Sequence, residues 1–260
     1  MGTSAEFAAF DETERAAAVE TTVEAANGRV PVIANISDAS TRLALRHASH
    51  AASAGAAAIA ATPPYYYPHS QDELLRHYSR IAERIDLPLF LYNIPQTVRL
   101  KLELGTVRAL IRAGAVAGIK DSQNDLEWFR QLALFVEAEG VRFSLFAGTR
   151  HLIDAAVLAG ADGAIPSIAN AFPDVCVAVY EAAARGDWGF AAQQERTIVE
   201  LESVAAGVTP GSRNAAVLGV IKAILARRGI IDHPHVTGPL RPVEASEINA
   251  LLDPLLEVAH

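Results

Sequence analysis

The sequence predicts a parallel α/β fold with a helical C-terminal region, and three observations predict it. Short apolar runs recur about 20 to 30 residues apart. Segments with apolar residues at three- and four-residue spacing fill the intervals between them. After Asn170 the strand-like runs stop while the helical spacing continues. Continuous apolar strands alternating with helices mark a parallel sheet covered on its outer faces.

In chain order, Glu12 to Ala26 has helical character, followed by the first apolar run, Val30-Pro31-Val32-Ile33-Ala34-Asn35-Ile36. The next runs are Ala57 to Ala61, Pro88 to Tyr92, Val116 to Lys120, Phe143 to Ala147 and Gly163 to Ser167. Each has the length of a strand, too short for a helix of ordinary size. Between them lie helical stretches at Ser40 to Ala54, Gln71 to Ile85, Glu103 to Ala113, Leu126 to Glu139 and His151 to Ala159. The tail reads as four helices: Phe172 to Arg185, Trp188 to Val204, Ser212 to Arg228 and Glu244 to Val258, with the Pro- and Gly-containing linker Asp232 to Pro242 before the last.

Composition narrows the function. The 260 residues are 51% hydrophobic, enough for one large domain or two small ones. The net charge of −8 and the absence of any basic run argue against nucleic-acid or anionic-membrane partners. No apolar run approaches the ~18 residues of a membrane span, and no signal-peptide core is recognisable. A single cysteine, Cys176, cannot form an internal disulfide and fits a reducing cytoplasm.

Six βα units suit either a doubly wound sheet or most of an eight-stranded barrel. Neither GxGxxG nor GxxxxGK[ST] follows any strand, so dinucleotide and nucleoside triphosphate sites are disfavoured. Polar and aromatic residues collect just after strand ends instead: Thr62 to Tyr67, Tyr92-Asn93, Lys120-Asp121-Ser122, Gly148-Thr149-Arg150 and Ser167 to Asn170. That is where a (β/α)8 barrel builds its active site.

Of only three lysines, Lys120 alone closes an apolar strand. Burial there penalises the ammonium, and a neutral amine attacks ketones, forming a Schiff base with a 2-oxo acid. The competing reading is a lysine that snorkels from the strand end or pairs with Asp121. His47 and His50, three apart on a helix with no acidic or thiol partner on that face, are expected at the surface, without a metal.

Taken in order, Gly2-Thr3-Ser4-Ala5-Glu6, Gly28 to Ala34, Thr62-Pro63-Pro64-Tyr65-Tyr66, Leu91-Tyr92-Asn93-Ile94-Pro95, Gly118-Ile119-Lys120-Asp121-Ser122 and Gly160 to Ile165 resemble the dihydrodipicolinate synthase and N-acetylneuraminate lyase superfamily. The resemblance covers nearly the whole chain. It implies a (β/α)8 barrel with a C-terminal helical region, assembled as a dimer of dimers, and a class I aldolase with no metal or organic cofactor. Lys120 is then the Schiff-base lysine, Tyr92 the proton-shuttling phenol, and Thr3 with Ser4 the carboxylate-binding hydroxyl pair. Tyr65, with Tyr66 as runner-up, is the tyrosine that crosses a subunit interface to complete the proton relay. Ile165 supplies a substrate-facing carbonyl, and Gly148, Thr149, Arg150 and Ser167 lie where the second substrate is contacted.

Three departures shape the expectation. Ala5 replaces the family's usual glycine, predicting a narrower or differently turned loop. Thr97 stands where dihydrodipicolinate synthases typically carry an arginine; Arg99, two positions on, shares Thr97's face if that segment is extended. Thr149-Arg150-His151 replace the acidic residues usual in sialic acid lyases. These favour a 2-keto-3-deoxy sugar acid aldolase or related lyase or dehydratase. The alternatives are 4-hydroxy-tetrahydrodipicolinate synthase and a non-catalytic 2-oxo acid binding barrel. Family chains usually carry about 40 to 50 residues before the Gly-Thr motif, so the expected fold is a barrel lacking about its first two strands. Residues 1–170 would form the partial barrel, and 171–260 its last helix and the helical region, in one structural unit.

Overall fold

A computed structural model describes residues 1–149, 151–208, 211–244 and 248. It divides into two compact units, Met1–Thr149 with Leu158–Ile165, and Arg150–Val157 with Pro166–His260.

In the first unit, α1 (Glu12–Ala26) starts where sequence dictates: Asp11 accepts the Glu14 N–H while Glu14 reaches back to the Asp11 N–H, each at 2.9 Å, a reciprocal cap. Then follow β1 (Ile33–Asn35), α2 (Thr41–Ser53), β2 (Ala58–Ala61), α3 (Gln71–Ala82) and β3 (Leu89–Asn93). Ser40 caps α2, and Ser70 with Glu73 caps α3 reciprocally. The four-residue α4 (Pro95–Val98), α5 (Leu104–Arg112), β4 (Gly118–Asp121), α6 (Leu126–Glu139), β5 (Ser144–Ala147) and β6 (Gly163–Ala164) follow in the same unit, while α7 (Ile153–Leu158), between β5 and β6 in the chain, belongs to the second unit up to Val157. Asp125 caps α6, and Gly140 ends it at φ 63°, a left-handed position that costs glycine nothing.

All six strands are parallel and lie side by side in chain order. Ala34, Ile59, Leu91, Ile119 and Leu145, one from each of five successive strands, are buried in a single core with Leu74, Tyr78, Leu110 and Leu132 of the covering helices. Prolines shorten two predicted strands. Pro31 and Pro166 lack the N–H a ladder needs, so β1 begins beyond Val32, and β6 gives way after the Ile165 N–H has bonded the Ala147 carbonyl at 2.8 Å.

The expectation that His47 lies at the surface is overturned. Only 9% exposed, it places Nε2 2.8 Å from an Asp38 oxygen. The carboxylate comes from the loop after β1, not from the helix face on which the expectation rested. Asp38 also meets Arg15 at 3.5 Å, and the Arg15 guanidinium lies 5.1 Å from the Phe7 ring.

The second unit contains α8 (Pro173–Ala184), α9 (Trp188–Gly207) and α10 (Arg213–Arg227), as the helical spacing predicts. Ala182, Ala183 and Ala191 pack closely where α8 meets α9. Cys176 is buried, as its apolar setting implies, and burial together with Glu195 pushes its thiol up to about 12, leaving it inert. Glu195 accepts the Ile153 N–H at 3.1 Å, and burial raises its carboxyl to about 7. The helix expected over Glu244 to Val258 lies outside the described residues, Glu244 and Ile248 apart.

Candidate active site

The site is built on one rung of the sheet. In the β3–β4 register Tyr92 lies opposite Lys120, and Asn93 opposite Asp121. Alternation along a strand sends these two pairs to opposite faces. Lys120 Nζ donates to Tyr92 Oη at 3.3 Å and lies 4.3 Å from the ring centroid. On the phenol's other side, Thr3 Oγ1 lies 3.0 Å from the same Oη. Residues 3, 92 and 120 thus form one hydrogen-bonded chain from hydroxyl to phenol to amine. Tyr92 is buried while Lys120 and Thr3 are half-buried, so the chain is accessible at both ends. Thr3 opens a short 3-10 turn, Thr3–Ala5, but its side chain does not cap that turn and serves Tyr92 instead.

Gly148 completes the wall. A Cβ placed there would come within 1.9 Å of Ser122 Oγ and 2.9 Å of Lys120 Cε, so only glycine leaves room for both side chains in these positions. Its N–H bonds the Asp121 carbonyl at 2.6 Å, which holds the backbone of β5's end against β4.

On the opposite face, Asn93 Nδ2 donates to Asp121 Oδ1 at 2.7 Å. Burial raises the Asp121 carboxyl to about 7, against the lowering effect of the Asn93 hydrogen bond. Asp121 therefore does not pair with Lys120; it closes β4 and turns to Asn93. Sequence reasoning missed Asn93 and Asp121 as a pair. The available signal was two polar residues closing adjacent apolar strands.

Of the remaining expected residues, Ser4, Tyr65, Thr97, Arg99, Gly148, Thr149 and Ile165 belong to the same unit as this rung. Ser4 follows Thr3 in the 3-10 turn and is half-buried. The left-handed residue of that loop is Glu6, at φ 58°, one position beyond Ala5, so the loop is turned without a glycine. The Tyr65 ring meets Phe7 edge-on at 6.4 Å, and burial and Asp38 raise its phenol's pKa. Tyr66, by contrast, has φ 92° and is 85% exposed, against Tyr67 at 5.0 Å. A bulky residue at positive φ is strained, and here the strain presents an aromatic ring to solvent.

Thr97 and Arg99 are both exposed, but the extended segment expected to align them is a helical turn. The Ile94 carbonyl accepts the Thr97 and Val98 N–H groups at 3.0 and 3.2 Å, and Arg99 ends the turn at φ 59°. Pro95 at the first helical position, with φ preset, favours this turn. Thr149 is buried in the first unit beside Gly148. Ser167 belongs to the second unit, where its carbonyl accepts from Asn170 Nδ2 at 2.7 Å. Arg150 lies outside the described residues.

A phenol and an amine at the ends of adjacent parallel strands, joined by hydrogen bonds to a hydroxyl from the N-terminal 3-10 turn, make up the candidate site. The family model of the dihydrodipicolinate synthetase family matches residues 1–257, and the chain belongs to that family. It is a carbon–carbon lyase.

Its relatives include an uncharacterized DapA-like lyase of Halobacterium salinarum, 34% identical over 251 residues, which are 96% of this chain and 79% of the relative. Another is a probable 2-dehydro-3-deoxy-D-pentonate aldolase of Escherichia coli K12, 34% identical over 81% of this chain and 70% of its own length. Among solved structures, dihydrodipicolinate synthase from Bacteroides thetaiotaomicron superposes with a TM-score of 0.90 at 28% identity, covering 99% of this chain and 85% of that one. A prophage protein of the dihydrodipicolinic acid synthase family from Escherichia coli K12, in complex with pyruvate, gives 0.89 at 26% identity with the same coverage. Among the described residues, no helix is long and apolar enough to cross a membrane.

Proposed function

We propose that this protein is a Schiff-base-forming aldolase of 2-oxo acids with pyruvate as the donor, acting on a 2-keto-3-deoxy sugar acid. The observation that carries the reading is the chain Thr3 Oγ1, Tyr92 Oη, Lys120 Nζ at 3.0 and 3.3 Å. Lys120 Nζ attacks the C2 carbonyl; Tyr92 delivers a proton to the resulting oxyanion, and water leaves to give the iminium. Cleavage of the C3–C4 bond sends its electron pair into the iminium nitrogen as an enamine, while Tyr92 accepts the proton of the C4 hydroxyl as the aldehyde departs. The electron sink is the substrate's own imine, so the scheme calls on no metal or organic cofactor. Thr3 and Ser4 receive the carboxylate, with the Ile165 carbonyl, Gly148 and Thr149 of the same unit toward the variable end of the substrate. Thr97 and Arg99 bear on the electrophile. Thr97 cannot make an arginine's bidentate clamp on a carboxylate, which supports the sugar acid over aspartate semialdehyde, the electrophile of the alternative 4-hydroxy-tetrahydrodipicolinate synthase.

The six strands are read as six consecutive strands of a (β/α)8 barrel lacking about its first two, with 1–170 as partial barrel and 171–260 as its last helix and helical region. Support comes from superposition of 99% of the chain on 85% of a dihydrodipicolinate synthase. A homo-oligomer, built as a dimer of dimers, is supported by the exposed tyrosines 66 and 67, with Tyr65 or Tyr66 completing the neighbour's relay. The lone buried Cys176 supports a cytoplasmic setting.

Incubation with pyruvate and borohydride is expected to add one reduced pyruvate per chain by intact mass; an unlabelled wild-type chain would overturn the reading. A panel of 2-keto-3-deoxy acids against aspartate semialdehyde then divides the substrates, with turnover expected on the sugar acids. Tyr92→Phe keeps the ring but removes the proton carrier. Aldol turnover should fall about 100-fold or more, with folded stability close to wild type; unchanged turnover would remove Tyr92 from the scheme.

A further inference from the structure

The face of β3 and β4 turned away from the amine carries a feature that the proposed chemistry does not use. Asn93 is 0% exposed and Asp121 5%, yet both are polar, and each sits one residue beyond a member of the Tyr92–Lys120 rung. Burying such groups is unfavourable unless their hydrogen-bonding capacity is met. Asn93 meets it at both ends of its amide: Nδ2 donates to Asp121 Oδ1 at 2.7 Å, and Oδ1 accepts the Leu102 N–H at 3.1 Å. The first bond ties β3 to β4. The second ties down the chain returning from α4, so residues 94–101 leave and rejoin at one side chain. The backbone continues the same seam, with Ser122 N–H on the Asn93 carbonyl at 2.8 Å and Gly148 N–H on the Asp121 carbonyl at 2.6 Å.

Backbone pairing alone is tolerant of register, because every residue offers the same N–H and C=O. A slip of one residue turns each side chain to the other face, and here it would carry either Tyr92 or Lys120 away from its partner. A side-chain bond specific to positions 93 and 121 exists in only one register. We propose that Asn93 and Asp121 are positioning residues whose buried bond locks β3 against β4 and so sets Tyr92 Oη beside Lys120 Nζ. The inference rests on the aldolase reading for its kinetic consequence and on the geometry of the rung for its structural one.

The test measures the rate of borohydride-trapped pyruvate labelling, per folded molecule, as a function of pyruvate concentration. Asn93→Ala and Asp121→Ala are each expected to slow labelling at saturating pyruvate about 10- to 100-fold, the usual penalty for a reacting group displaced by ~1 Å. The half-saturating pyruvate concentration should stay within about threefold, since neither residue contacts substrate. Asp121→Asn retains an oxygen that can accept from Asn93 Nδ2 and is expected to label within about threefold of wild type. The double alanine variant should be no slower than the worse single one, because both remove the same bond. Wild-type rates in the folded fraction of both alanine variants, or losses that multiply in the double variant, would overturn the proposal.

Should Asn93→Ala not fold, Asp121→Ala carries the measurement, since it leaves the Asn93 bond to Leu102 in place. An unlabelled wild-type chain sinks the aldolase reading and leaves the pair to be judged by a crystal structure of Asp121→Ala. There, a Tyr92 Oη to Lys120 Nζ separation widened beyond ~4 Å supports the lock, and one unchanged from 3.3 Å overturns it.

Discussion

Lys120→Ala is expected to abolish the borohydride-trapped pyruvate adduct and to lower aldol turnover by roughly a factor of 10⁶, or to background. Removing a covalent nucleophile elsewhere has an effect of that order. Of the other two lysines, Lys101 is exposed and paired with Asp125 at 3.4 Å, and Lys222 belongs to α10 of the second unit. Lys101→Ala should therefore label as wild type does. Lys120→Arg is an informative companion, because it keeps a cation near the Tyr92 ring but supplies a guanidinium that stays protonated and cannot form the imine. It too should be dead. Lys120 is half-buried, so the alanine variant should fold, and its loss of labelling should not be a loss of structure. An adduct of undiminished yield in Lys120→Ala would place the chemistry on another amine and end the assignment.

What the sequence made legible here follows from how local each signal is. The alternation of β1–β6 with α1–α3 and α5–α7 could be read because strand and helix periods differ and because Asp11, Ser40, Ser70 and Asp125 mark helix starts through their own side chains. The position of Lys120 opposite Tyr92 was also within reach, since both close apolar strands and neighbouring parallel strands pair in chain order.

What could not be read depended on contacts between distant segments. His47 looked superficial because its partner, Asp38, comes from a loop outside the helix. Asp121 looked like a turn residue beside Lys120 until its bond to Asn93, 28 positions away, was seen. Arg99 was placed on Thr97's face by assuming an extended chain, and a single helical turn around Pro95 undoes that geometry. Gly148 was identified by its place in a motif, whereas its steric reason, the space occupied by Ser122 and Lys120, exists only in three dimensions.

That steric reason gives the second large effect. Gly148→Ala is expected to lower both stability and catalysis, through different neighbours. Gly148 is not among the positive-φ residues, so its backbone would accept alanine and the penalty is purely one of space. The added Cβ would sit 1.9 Å from Ser122 Oγ and 3.0 Å from Ser122 Cβ, contacts that require Ser122 and its backbone to move. Overpacking of that kind typically costs about 1–3 kcal/mol, to be read by denaturant unfolding. It would also sit 2.9 Å from Lys120 Cε. The end of a flexible chain gives way at little cost in stability, but the displaced amine is the reacting atom. A shift of ~1 Å there should slow labelling by up to about 100-fold.

Two controls separate these effects. Gly105→Ala, in α5 with nothing within 4 Å of the new Cβ, should be neutral or slightly stabilising and leave labelling intact. The double variant Ser122→Ala/Gly148→Ala removes the hydroxyl clash without relieving Lys120. It should recover part of the stability while labelling stays slow. Recovery of both together would mean that Ser122 carried the whole effect and that Gly148 sets no constraint on where the Lys120 amine lies.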